Sequence, residues 1–258
     1  GEWFGARLGW TGIDWALRRD DGTIARFRPC GPDEKSICSI LRYRDADGHV
    51  APRLEDVETA DETLPVYFGR IFQVHDGLLD ITNASDLVTV SWNRFLNHDK
   101  VMLIGSSDSA TADRGKLRVT LHHNLWDGLG QRAPRVRFGQ VHVYNNLYWI
   151  RKVENYGYSW GVGIESALFA ESNFFQVDQD VTADELIERF NGTALHEHGN
   201  LFEGPAGRFL LDLRAAYNAV NDPDLADDTS WTPTLFLEVD PAPHVLPLVL
   251  GHSGPFTW

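Results

Sequence analysis

The chain is poor in basic charge. Lys and Arg number 23 against 37 Asp and Glu, a formal net charge of −14 over 258 residues, which argues against a general binder of nucleic acid or of anionic membranes. A polyanionic partner would have to be met by a local cationic patch or by a bound metal. Cysteine is almost missing. Cys30 and Cys38 are the two present, compatible with one disulfide or with two buried thiols, and no CxxC or Cys/His spacing points to zinc. No run of 18 apolar residues occurs, so no membrane-spanning helix is expected. The opening "GEWFGARLGW" lacks the charged start and apolar run of a signal peptide. Helical periodicity is scarce too. The candidates are 182–190, with Thr182 as N-cap and Glu185 three residues on, and 205–220, both read as insertions or cover.

What is abundant is a repeat. An apolar residue, any residue, an apolar or small residue, two of any type, Asn, any residue and an aromatic recur in "VTVSWNRF" (88–95), "VTLHHNLW" (119–126), "VHVYNNLY" (141–148) and "LFAESNFF" (168–175). A weaker copy, "LHEHGNLF" (195–202), has Glu197 in place of the second apolar residue. The asparagines, Asn93, Asn124, Asn146, Asn173 and Asn200, are spaced by 31, 22, 27 and 27. Alternating β-branched residues that end at Asn predict short strands closed by tight turns, and spacings of this size predict a solenoid. The stacked asparagines would pass hydrogen bonds from coil to coil and satisfy turn backbone that burial would otherwise leave unpaired.

Three stretches carry candidate chemistry. "HDGLLD" (75–80) holds Asp76 and Asp80. On a straight strand they would lie roughly 13 Å apart, too far to share an ion, so convergence needs a bend, which Gly77 permits. All-oxygen ligands suit calcium. By themselves the two carboxylates read equally as a turn residue and a solvent-facing one. "NHDKVMLIGSSDS" (97–109) places Lys100 at the edge of an apolar run, either functional or snorkelling. "QRAPRVRFGQ" (131–140) packs Arg132, Arg135 and Arg137 into six residues of an acidic chain. Arg135 and Arg137 share parity and are expected on one face; Arg132 has the opposite parity and needs a turn to join them. Such a cluster can hold carboxylates, or each arginine can pair with one of the many acids. In "LHHN" (121–124), His122 and His123 are read as one exposed and one packed ring.

The run from "YFGRIFQVHDGLLD" through "QRAPRVRFGQVHVYNNLY", with "WGVGIES" (160–166) and "SWTPTL" (230–235) following in order, resembles the family 1 polysaccharide lyases that are pectate lyases. The resemblance covers Tyr67 to the C-terminal region, and residues 1–66 are read as a divergent N-terminal region. It implies an all-β, right-handed, single-stranded parallel β-helix at 67–258, with calcium (Ca2+) as cofactor. The implied activity is cleavage of polygalacturonate by β-elimination to unsaturated oligogalacturonides, in a secreted monomer without nucleic-acid or membrane partners. It further implies Asp76 and Asp80 as metal ligands, Lys100 as a catalytic and substrate-binding residue, Arg132 as proton acceptor and Arg137 as substrate-carboxylate binder, with Arg135 in support. The like charges of calcium, Lys100 and Arg137 would then favour the neutral form of the accepting guanidine. An upstream family ligand would fall near Ile37, which is no carboxylate. An inactive uronate-binding β-helix and a pectin lyase acting on methylated pectin are the alternative readings.

Overall fold

In the computed structural model the described residues are 77–254, apart from 151–155, 179 and 237, together with the backbone of short strands within 2–27 and 66–71. Asp76, Cys30 and Cys38, and the position of the upstream ligand, lie outside them. The strands Glu2–Trp3, Ala6–Trp10, Trp15–Arg18 and Ile24–Phe27 form an antiparallel meander.

From residue 77 onward the chain winds as a parallel β-helix of three sheets. The first sheet stacks Val88–Ser91, Arg118–His122, Gln140–Tyr144, Ala167–Glu171 and Leu195–His198 in parallel register. The second stacks Arg94–Leu96, Leu125–Asp127, Leu147–Ile150, Phe174–Val177 and Leu201–Gly204, closed by the antiparallel strand Gly207–Leu210. The third stacks Leu103–Ile104, Arg135–Val136, Trp160–Gly163 and Ile187–Phe190, with Ile81 bridging to Ile104. Each repeat copy thus supplies one first-sheet strand, one turn and one second-sheet strand.

The register puts like on like. Val119, Val141, Leu168 and Leu195 align inward, all buried. Behind the turn, Phe95, Trp126, Tyr148 and Phe175 stack ring on ring, with centroids 4.3, 5.8 and 4.5 Å apart. The turn itself repeats: Trp92, His123, Asn145, Ser172 and Gly199 are all left-handed, with φ between 50° and 63°. The asparagine after each one forms the expected ladder. The Oδ1 atoms of Asn124, Asn146, Asn173 and Asn200 accept from the backbone N–H of Asn93, Asn124, Asn146 and Asn173 at 3.0, 3.1, 3.0 and 3.0 Å. The side-chain amides are joined in the same order.

Three expectations change. The stretch 182–190 begins as the short 3₁₀ turn Ala183–Leu186, with Thr182 N–H donating to Glu185 Oε2 at 2.9 Å, and then becomes the third-sheet strand Ile187–Phe190. Its strand must pair with Trp160–Gly163, and that pairing overrides the helical cap. The stretch 205–220 divides into the strand Gly207–Leu210 and a short helix, α1, Leu213–Asn218. His122 and His123 are not one exposed and one packed. His123 stands in the left-handed turn rather than the strand, so both rings meet on the outer side, Nδ1 to Nδ1 at 2.9 Å, with His123 buried and His122 half-buried.

A second helix, α2, Ala242–His252, lies across the second sheet. Its Ala242, Val245 and Val249 pack on Leu125, Leu147, Phe174 and Leu201, the residues that follow the ladder asparagines. In the first copy that position is Arg94, which donates to Leu250 O at 3.0 Å and to Ser253 Oγ at 3.2 Å at the end of α2.

Candidate active site

The cationic stretch crosses from a loop into the third sheet, and its order of residues decides where each guanidinium goes. Val136 points inward and is fully buried, stacked between Ile104 and Val162. Arg135 and Arg137 flank it and share the outer face, as their parity requires. Arg132 adopts φ 63°, a left-handed conformation uncommon for a residue with a side chain. That turn lets Arg132 join the others despite its opposite parity.

The turn is held from both sides. Arg132 O accepts from Met102 N at 2.7 Å, and Ala133 N donates to Ser159 O at 2.7 Å. From inside the barrel, Trp160 Nε1 donates to Tyr148 Oη at 2.9 Å, and Tyr148 Oη donates to Ala133 O at 3.0 Å. The peptide between Ala133 and Pro134 is cis.

The next coil makes room. A Cβ at Gly161 would stand 2.8 Å from Arg135 Cγ, and one at Gly163 would stand 2.2 Å from Val136 O and 2.9 Å from Arg137 Cγ. The two glycines of "WGVG" therefore leave the floor on which the arginine stems lie. Arg135 reaches across it and stacks on Phe190, with Cζ 3.7 Å from the ring centroid. Burial foremost, together with the like charges of Arg137 and Arg132, holds the Arg135 guanidinium below the ordinary arginine range, while Tyr158 and Asp108 oppose that shift. The Tyr158 hydroxyl is buried beside Arg132 and Arg135 without a well-formed hydrogen bond among the described residues. Burial pushes its pKa up, and both arginines pull it back. Arg132 Nε is likewise buried without a hydrogen-bond partner among the described residues.

Lys100 stands one coil earlier, bridged in parallel to Gln131 and so next to Arg132 in register. One coil earlier again is Asp80, exposed on the same side, its Oδ1 accepting from Leu103 N at 2.8 Å. A Cβ at Gly77 would lie 2.3 Å from Asp80 Oδ2, so the chain turns back and brings this carboxylate over the residue that follows Asp76. An exposed carboxylate in a cradle that only glycine permits fits a hard oxygen-seeking cation such as calcium. Among the described residues no group of three His, Cys, Asp or Glu side chains gathers.

One outer face thus carries a carboxylate, a lysine and three arginines on successive coils. A family profile described as pectate lyase matches residues 68–214. The chain belongs to the pectate lyase family. It is 39% identical over 203 residues to a pectate lyase of Bacillus subtilis (strain 168), covering 77% of this chain and 46% of that protein. It is 42% identical over 161 residues to pectate lyase E of Dickeya dadantii (strain 3937), covering 58% and 40%. Among solved structures, a thermostable pectate lyase superimposes with a TM-score of 0.71 at 46% identity, over 74% of this chain and 47% of that one. A pectate lyase bound to a hexasaccharide gives 0.65 at 38%, over 75% and 47%. The chain spans about half the length of these pectate lyases.

The supporting residues are not legible in the sequence. The Trp160–Tyr148–Ala133 hydrogen bonds join separate coils, and no local pattern marks them. The glycines at 161 and 163 were a signal: they repeat at the strand period of two, as Arg135 and Arg137 do.

Proposed function

We propose that this chain cleaves de-esterified polygalacturonate by calcium-assisted β-elimination, leaving 4,5-unsaturated oligogalacturonides. The observation that carries the reading is the convergence of Asp80, Lys100, Arg132, Arg135 and Arg137 on the outer face of the third sheet. The catalytic unit is proposed as 67–258, acting as a monomer. A polysaccharide substrate is too large to cross a membrane, which places the work outside the cell.

The reaction breaks two bonds at one galacturonate. The C5 proton leaves, the C4–O bond breaks, and the electron pair of the C5–H bond becomes the C4=C5 double bond. Calcium, held by Asp76 and Asp80, would draw charge from the C6 carboxylate and so acidify C5. Arg137 binds a substrate carboxylate through its planar donor array. Lys100 places a positive charge where negative charge grows on the uronate. Arg132 accepts the C5 proton. The departing C4 oxygen takes its proton from solvent. Arg135, stacked on Phe190, keeps the cluster in place and adds to its field.

The test is the identity of the product. Polygalacturonate should yield oligomers that absorb in the ultraviolet and are lighter by one water than hydrolysis products. Saturated products would mean a hydrolase, and equal or faster turnover of methylated pectin would mean a pectin lyase.

A further inference from the structure

We propose that Asp108 is a positioning residue for substrate binding, acting through Arg137 by holding that guanidinium so that Nη2 is presented to the uronate carboxylate; this rests on the lyase reading above. Arg137 is 12% exposed, and two of its three nitrogens are engaged. Nε donates to Asp108 Oδ1, and Nη1 donates to Gly105 O at 3.0 Å. Nη2 has no partner among the described residues. The side-on edge formed by Nε and Nη2, the usual choice for a bidentate carboxylate, is thereby half taken by Asp108. Nη1 is likewise engaged by Gly105 O, so Nη2 is the nitrogen left for the carboxylate of the substrate.

Asp108 is itself held. Its Oδ2 accepts from Asn191 Nδ2 at 3.3 Å, three coils further along. Its loop is closed by Ser109 N donating to Ser107 Oγ at 3.2 Å and Ala110 N donating to Ser107 O at 3.0 Å. The Arg137 hydrogen bond foremost holds the Asp108 carboxyl below the ordinary range. Serine and aspartate in "SSDS" thus have a use that neither metal binding nor proton transfer supplies. Without Asp108 the guanidinium would keep its charge and lose its orientation, which weakens substrate binding more than the chemical step.

The experiment is steady-state kinetics on polygalacturonate with calcium, with thermal unfolding as a check on folding. Asp108→Ala is expected to raise KM about tenfold with kcat within about threefold of wild type. Asp108→Asn keeps an oxygen for Nε to bond and is expected to return KM to within about threefold. An unchanged KM in Asp108→Ala overturns the inference. So does a lower KM, which would make Asp108 a competitor of the substrate, or a fall in kcat alone. Should Asp108→Ala fail to fold, Asp108→Glu carries the test: a raised KM supports positioning and an unmoved one overturns it. A wild-type protein without lyase activity would remove the lyase reading and leave this one to calorimetry with trigalacturonate. There, about tenfold weaker binding by Asp108→Ala supports it, and equal binding overturns it.

Discussion

Three arginines in six residues of an acidic chain have three different surroundings. Arg137 is engaged by Asp108 and Gly105, Arg135 lies flat on Phe190, and Arg132 stands in a left-handed turn with its Nε unpartnered among the described residues. Arg135 Nε also lacks a hydrogen-bond partner among the described residues, so the left-handed turn is what sets Arg132 apart as the candidate acceptor, and the open Nη2 of Arg137 suits it to a carboxylate. Arg132→Lys keeps a positive charge but moves it, and is expected to lower kcat by about three orders of magnitude with little change in KM. Arg137→Lys is expected to raise KM more than it lowers kcat. Initial-rate measurements over a range of polygalacturonate concentrations separate the two effects, and near-wild-type kcat in a folded Arg132→Lys protein would contradict the assignment. The parity of Arg135 and Arg137 was legible in the sequence, because alternate strand residues share a face. The route by which Arg132 joins them was not, since it depends on Tyr148 and Trp160 from other coils.

At the scale of an element, the unit is the coil with its ladder asparagine. Asn146 Oδ1 accepts from both the backbone and the side chain of Asn124, and Asn146 Nδ2 donates to Leu121 O and Tyr144 O. All of this is buried. Asn146→Ala strands these groups without water and is expected to lower stability by about 3 kcal/mol, read from denaturant unfolding. The last coil departs from the others in the way its sequence announced. Glu197 stands where Ala170 and Val143 point inward. Burial foremost, with Asp212 adding and Asn200 opposing, raises its pKa from 4.5 to about 7. The folded chain then holds a proton that the unfolded chain loses between these values. Its contribution is fully present below pH 4.5 and is lost as pH rises through 7. Glu197→Gln should therefore change little at pH 4.5 and stabilise by about 2 kcal/mol at pH 8. Equal effects at the two pH values would show that Glu197 is not protonated in the fold.

For the whole molecule, the asparagine spacing and the alternating apolar residues were enough to read a solenoid, because each coil repeats the same inward and outward positions. The helix α2 was not read. The second-sheet positions after Asn are apolar on the outer side as well, in Leu125, Leu147, Phe174 and Leu201, and a sheet apolar on both faces needs a cover. That signal was present, but the cover begins about forty residues beyond the last of these positions. Likewise Asp80, Lys100 and Arg132 are brought onto one face only by the winding of successive coils. The claim that joins fold to function is that this face eliminates across a uronate with the help of calcium. The direct measurement is the rate of unsaturated product formation from polygalacturonate by the intact chain, with calcium and with a chelator, for wild type and Asp80→Ala. The account predicts turnover with calcium, almost none with chelator, and an Asp80→Ala protein that is folded yet slow until calcium is raised well above the wild-type requirement. Turnover that ignores chelator and Asp80→Ala alike would contradict it.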